Sequence, residues 1–223
     1  MTRTVLCIAP HPDDETLGCG GTLLRHLEQG DEVHWLIVTA ISEAIGFPAA
    51  RVESRAAEIR AVADAYGFQG VHRCDLPTMR LDTLPIADVI RAVGNVVAET
   101  RADTLYLPYR NDAHSDHAVV HDAGVACAKT FRYPWVSAVY CYETVSETEF
   151  GLKPEDPGFR PNLFVDVASH LDRKIEIMRL FEGEMGEFPF PRSETCLRAL
   201  AQLRGSQCGR MAAEAFMIAK EIR

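Results

Sequence analysis

The run Thr4-Val5-Leu6-Cys7-Ile8-Ala9 constrains this chain more than any other stretch. Six uncharged, mostly apolar residues read as a strand buried on both faces, which requires a sheet covered by helices on either side. The run ends abruptly in Pro10-His11-Pro12-Asp13-Asp14-Glu15-Thr16, then passes into a helical segment, Leu17 to Gln29, closed by Gly30. A strand that turns into a helix through His, Asp and Asp gathers ionisable groups at a strand's carboxyl end. That is where open α/β sheets bind ligands.

The same alternation continues along the chain. Val33 to Thr39, Val71 to Cys74, Thr104 to Leu107, Val136 to Tyr142 and Leu163 to Val167 read as strands. Helical patterns cover Arg51 to Tyr66, Ile86 to Thr100, Ala118 to Thr130, Leu171 to Phe181 and Glu194 to Leu203. A last helix is expected from Gly209, carrying Met211, Ala215 and Ile218 on one side. Strands separated by helices predict βαβ units. The fold class is therefore α/β: a Rossmann-like, mostly parallel sheet flanked by helices, in a single domain over residues 1–223.

Alone, His-Pro-Asp is an ordinary polar turn with a helix cap. A second cluster argues for more. Asn111-Asp112 introduces His114-Ser115-Asp116-His117 just after the strand at Thr104. Together the clusters offer two histidines and an aspartate as ligands for zinc or another divalent ion, with carboxylates to spare for proton transfer. A dinucleotide fingerprint is a poorer reading of Gly18, Gly20 and Gly21. The third glycine of G-x-G-x-x-G falls on Leu23, and the preceding loop is acidic. Close backbone approach is the expected use of these glycines.

The net charge of −9 opposes binding to nucleic acid and to anionic membranes. No apolar run reaches the roughly 18 residues of a membrane span. The seven cysteines are odd in number and form no Cys-x-x-Cys pair, which predicts free thiols in a reducing cytoplasm. Met1 to Arg3 lead directly into the first strand, leaving no room for a signal peptide.

The pair His11-Pro12-Asp13-Asp14-Glu15 and His114-Ser115-Asp116-His117 resembles the PIG-L/LmbE-like family of metal-dependent N-acetylglucosaminyl deacetylases. The likeness extends to the order of elements and to Pro191-Arg192-Ser193-Glu194, Arg204-Gly205-Ser206 and Ala213-Glu214-Ala215-Phe216. His11, Asp14 and His117 form the best ligand set, since three protein ligands leave a position for water. Such an ion lowers the pKa of its water and polarises an amide carbonyl. Zinc, iron(II) and cobalt all accept these donors. Asp13 matches the family's general base. His114 is expected to stabilise the oxyanion or to protonate the leaving amine, with Asp116 orienting an imidazole and keeping it charged. His121, one turn further on, has no expected site role.

By the same resemblance, substrate contacts fall to Arg55, Arg80 and Asp82. Arg55 also fits a plain i, i+3 ion pair with Glu58. Relatives carry an aspartate one or two positions before Arg80, where this chain has Thr78 and Met79. Arg192 and Glu194 reach either the site's mouth or the cap at Ser193. The expected substrate is a small amino-sugar conjugate of N-acetylglucosamine type, hydrolysed to acetate and a free amine by a chain that is compatible with a homo-oligomer. The alternatives are a metal-dependent amidase on a non-sugar N-acyl amine, and a metal- or nucleotide-binding module that needs no base.

Overall fold

The computed structural model describes residues 2–223; the reading that includes Met1 in the approach to the first strand lies outside the described residues. Seven strands form one sheet: β1 (Thr4–Ala9), β2 (Glu32–Ala40), β3 (Gly70–Pro77), β4 (Thr104–Pro108), β5 (Ala138–Tyr142), β6 (Leu163–Asp166) and β7 (Ala213–Glu221). Their order is β3-β2-β1-β4-β5-β7-β6. The first five are parallel, and β7 runs antiparallel to both β5 and β6. The helices are α1 (Asp14–Glu28), α2 (Ala49–Tyr66), α3 (Ile86–Thr100), α4 (Ser115–Ala126), α5 (Leu171–Met178) and α6 (Glu194–Cys208).

The two-residue period of β1 divides the core. Val5, Cys7 and Ala9 face one side, packed with Leu23 of α1, Ile59 and Val62 of α2, and Leu197 of α6. Leu6 and Ile8 face the other, against Val89 and Val93 of α3 and Val120 of α4. Both faces of β1 are covered, as an uninterrupted apolar run requires.

The helix expected from Gly209 is a strand instead. Met211 is 84% exposed, whereas Ala213, Glu214, Ala215 and Phe216 are buried in succession. Phe216 pairs with Tyr142 of β5 on one side and with Leu163 of β6 on the other. The helical spacing of Met211, Ala215 and Ile218 was coincidental, and pairing on both sides decides the conformation.

Cβ atoms at Gly18 and Gly21 would lie 2.2 Å from Tyr142 Cδ2 and 2.8 Å from Val167 Cβ. The close approach expected here is therefore helix against neighbouring side chains. Cys19 departs from helical geometry between them. Glu214 of β7 accepts bonds from the freed amides of Gly21 and Thr22 at 2.9 and 2.7 Å. Lys174 donates to Leu17 O at 2.9 Å and to Glu214 Oε1 at 2.7 Å. This buried pair satisfies the interrupted helix and holds the first turn of α1 against the sheet. Among the described residues, no helix is long and apolar enough to cross a membrane.

β1 and β4 are neighbours, but the connection from β1 leads to β2 on one side and the chain returns to β4 on the other. The reversal leaves a crevice beyond their carboxyl ends. Both histidine clusters follow these two strands.

Candidate metal and catalytic centre

The corner after β1 is tightly held. Thr39 of β2 donates to Pro10 O through its amide and its hydroxyl, at 3.0 and 2.8 Å. Asp13 precedes α1 with φ 150° and ψ −27°, a region that non-glycine residues rarely occupy. Its amide binds Glu15 Oε2 at 3.1 Å, and its carbonyl accepts the amide of Leu17 at 2.8 Å. Strain of this kind persists where the surroundings over-determine it, as at catalytic positions. The helix thus begins at Asp14, three residues before the expected Leu17, with Asp13 immediately ahead of it.

Asp14 Oδ2 lies 3.2 Å from His11 Nδ1 and 3.3 Å from His117 Nε2. His117 Nδ1 is 2.7 Å from Asp112 Oδ2, whose second oxygen accepts from Thr148 Oγ1 at 2.6 Å. With Nδ1–H committed to Asp112, Nε2 is the nitrogen of His117 that faces Asp14. This Nε2 is buried and, apart from the Asp14 carboxylate at 3.3 Å, has no partner. One donor atom from each of His11, Asp14 and His117 falls within 4.8 Å of the others. An orphaned imidazole nitrogen beside a second imidazole and a carboxylate fits a divalent cation.

Asp116 attends the same cluster from outside. Its Oδ2 is 3.1 Å from His11 Nε2, and its carboxylate accepts the amides of Met79 and Leu81 at 2.7 and 3.1 Å. It therefore orients the imidazole of His11 and ties it to the loop after β3. His114 caps α4. Its Nδ1 accepts the amide of Asp116 at 3.1 Å, which leaves Nε2 to carry the proton of a neutral ring. Burial, then the neighbouring His11 charge, pushes its pKa down to about 4. The expectation that Asp116 keeps an imidazole charged thus suits His11 and not His114.

Burial and the adjacent Asp14 charge push Asp13 up to about 7, with Arg192 acting in the opposite direction. Arg192 Nη1 lies 2.8 Å from both Asp13 Oδ2 and Glu184 Oε2, and its Nε donates to Ser146 Oγ at 2.7 Å. Of the two roles open to it from sequence, Arg192 takes the site; Ser193 caps α6 through its own hydroxyl. Glu194 is half-buried on the outer surface beside Arg179 and Arg198 and does not line the site. Arg55 donates to Pro12 O at 3.0 Å, pairs with Glu58 at 3.2 Å and contacts Glu184.

These groups face a cavity of about 500 Å³, within the range of small-molecule sites. His11, Asp13, Arg55, His114, Glu147 and Arg192 line it. Arg80 and Asp82 are exposed and do not line it; Thr78 and Met79 occupy that part of the wall. Asp112, Glu147 and Glu184 had no role assigned from sequence. Asp112 had a local signal, five residues before His117 in the loop that leads into α4. Glu147 and Glu184 had none. A separate cavity of about 370 Å³ lies around Phe159 and Leu200, where Glu143 and Arg204 neutralise each other at 2.7 Å.

Comparison with known proteins identifies the family and the fold. Residues 6–128 match the PIG-L family, described as GlcNAc-PI de-N-acetylase. The chain is 26% identical over 230 residues to the diacetylchitobiose deacetylase of Thermococcus kodakarensis, covering 95% of this chain and 81% of that protein. Among solved structures, the N,N'-diacetylchitobiose deacetylase from Pyrococcus horikoshii, complexed with its inhibitor MPG, matches with a TM-score of 0.77 at 20% identity. That match covers 98% of this chain and 84% of the other. GalB, the 4-carboxy-2-hydroxymuconate hydratase from Pseudomonas putida KT2440, matches with a TM-score of 0.75 at 18% identity, covering 100% and 98%. The fold thus accommodates a hydrolase and a hydratase, and the site must carry the distinction.

Proposed function

The chain belongs to the PIG-L family of GlcNAc-PI de-N-acetylases, and from that premise we propose that it is a metal-dependent hydrolase removing the N-acetyl group from an amino sugar of N-acetylglucosamine type. The observation that carries this reading is the orphaned Nε2 of His117 within 4.8 Å of donors from His11 and Asp14, beside a buried Asp13. Such a donor set beside a separate carboxylate is what metal-assisted amide hydrolysis requires.

His11, Asp14 and His117 would hold the ion, zinc in the first instance, with iron(II) and cobalt accepted by the same donors. When bound, it supplies an acidic water and a polarising charge for the acetamide carbonyl. Asp13 takes the proton of the attacking water, and a pKa of about 7 suits a base that later returns that proton to the departing nitrogen. His114, neutral with Nε2–H, donates a hydrogen bond to the carbonyl oxygen as it gains negative charge. Asp116 holds His11 in place, and Asp112 does the same for His117. Arg55 and Arg192 offer their remaining N–H groups to sugar hydroxyls at the cavity wall. Cytoplasmic residence is part of the same proposal, as seven free cysteines suit a reducing compartment.

The test is acetate release from a panel of N-acetylglucosamine conjugates by metal-loaded protein. Release from at least one conjugate is expected. Release only from non-sugar N-acyl amines moves the function to an amidase, and addition of water to an unsaturated acid without acetate release would mark a hydratase.

The Arg192 guanidinium also makes a pH prediction. It lowers the Asp13 pKa, so Arg192→Met raises it. A base that titrates higher is ionised over a narrower range, and the acid limb of the kcat profile moves to higher pH. An unmoved limb in the variant would remove Asp13 from the titration that limits activity.

A further inference from the structure

Beyond the reacting groups, the wall of the same cavity is apolar. The loop after β2 contributes Ile41 and Phe47, and α2 adds Val52, Ala56 and Ile59. The α2 residues stand at i, i+4 and i+7, so one face of the helix is turned to the cavity. Gly46, at φ 100°, closes a short helical turn and sends the chain back so that the Phe47 amide bonds Ser42 O at 3.2 Å. A left-handed conformation at that point suits glycine, and Phe47 directly after it joins the α2 residues in the cavity wall. Ile41, Phe47 and Val52 are only half-buried. Met79, 61% exposed, faces the same space from the loop held by Asp116.

The charges around this wall are already paired. Arg55 meets Glu58 and Glu184, Arg192 meets Asp13 and Glu184, and Arg73 at the rim meets Asp75 at 2.9 Å. Among the described residues lining the cavity, no arginine lacks a carboxylate, and there is no lysine. A diphosphate entering here would compete with those carboxylates and desolvate against apolar side chains, both unfavourable. An alkyl or aryl group would leave water against Phe47, Val52 and Ile59.

We infer that the Ile41–Phe47–Val52–Ala56–Ile59–Met79 wall is a subsite for an apolar substituent on the amino sugar, so that the preferred substrates are uncharged alkyl- or aryl-bearing derivatives rather than nucleotide diphosphate sugars. This inference rests on the deacetylase reading. The substituent is joined through the glycosidic oxygen or through the acyl group, and its chemistry at the wall is the same in both.

The experiment measures free amine released by metal-loaded enzyme from methyl, butyl and octyl N-acetylglucosaminides, from N-octanoylglucosamine and from UDP-N-acetylglucosamine. The kcat/KM is expected to rise about tenfold or more from the methyl glycoside to an octyl-bearing compound, as burial of only two added methylenes would give. The octyl glycoside and the N-octanoyl sugar tell which attachment the wall serves. UDP-N-acetylglucosamine is expected to fall below the methyl glycoside. Phe47→Ser is expected to bring the octyl-to-methyl ratio down several-fold. A flat series across both attachments, a best rate with the nucleotide sugar, or an unchanged ratio in Phe47→Ser would overturn the subsite while leaving deacetylation intact. No amine from any compound would overturn the deacetylase reading, and the subsite with it.

Discussion

Asp13→Asn is expected to lower kcat for acetamide hydrolysis by about 10²–10⁴-fold, the contribution usual for a general base, with metal content unchanged. Asparagine keeps the shape of the side chain but cannot accept the water's proton, and Asp13 is outside the proposed ligand set. The measurement is acetate release at matched metal occupancy. A loss under tenfold would give the proton transfer to another group. Stability supplies an independent check. The pKa of Asp13 is raised from 3.8 to about 7 by burial and by Asp14. A carboxyl whose pKa is higher in the folded state favours folding in its protonated form. That contribution is full below the unfolded pKa and is lost as pH rises from about 4 to 7. Above pH 7 the ionised group opposes folding. Metal-free Asp13→Asn should therefore melt at or above the wild-type temperature at pH 8, so a loss of activity with an undiminished Tm separates chemistry from misfolding. This is the pattern of a residue kept for function at some expense of stability.

The parts of this site that sequence could express are those in which neighbours in the chain are neighbours in space. His11, Asp13 and Asp14 share one turn, and His114 to His117 share the start of α4, so their residue types and spacing carry the constellation. β1, β2, β4 and β5 were legible because burial makes a nearly continuous apolar run; β3, at the sheet's edge with alternate residues exposed, carries only the short signal Val71 to Cys74. Arg192 is 179 positions from Asp13, and nothing in Pro191-Arg192-Ser193 distinguishes a site arginine from a cap-adjacent one. Glu184, which bridges Arg55 and Arg192, stands in a loop with no periodicity at all. β7 was misread because its strand character comes from β5 and β6, its partners on either side, while a few apolar residues fell at helical spacing. Arg80 and Asp82 were assigned from resemblance. Asp116 fastens the amides of Met79 and Leu81, and the charged side chains between and beyond them are exposed. A backbone anchor of that kind leaves no mark in residue type.

His117→Ala is expected to lose the bound metal under dialysis that the wild type survives, and with it all acetate release. The charge balance of the cluster gives the expectation its force. Burial works against a charge on His11, but hydrogen bonds to Asp116 and Asp14 raise its pKa to about 9. Burial likewise opposes a charge on His117, and the Asp14 charge and the hydrogen bond to Asp112 carry it to about 10. In the metal-free chain both imidazoles therefore hold protons at pH 7, and these two charges answer the buried carboxylates. A divalent cation needs both rings neutral, so it replaces two protons and leaves the cluster's net charge unchanged. Binding at pH 7 should release close to two protons, measured as buffer-dependent heat in calorimetry, and affinity should weaken as pH falls below about 10 and more steeply below about 9. Asp112→Asn, which keeps all three donors and weakens only the support of His117, should reduce affinity by about 10–100-fold, the usual cost of losing such support. In His117→Ala the metal-dependent rise in Tm disappears, because an ion that no longer binds the folded state cannot stabilise it. Retention of metal at wild-type affinity in that variant would place the ion elsewhere, and the orphaned Nε2 of His117 would need another partner.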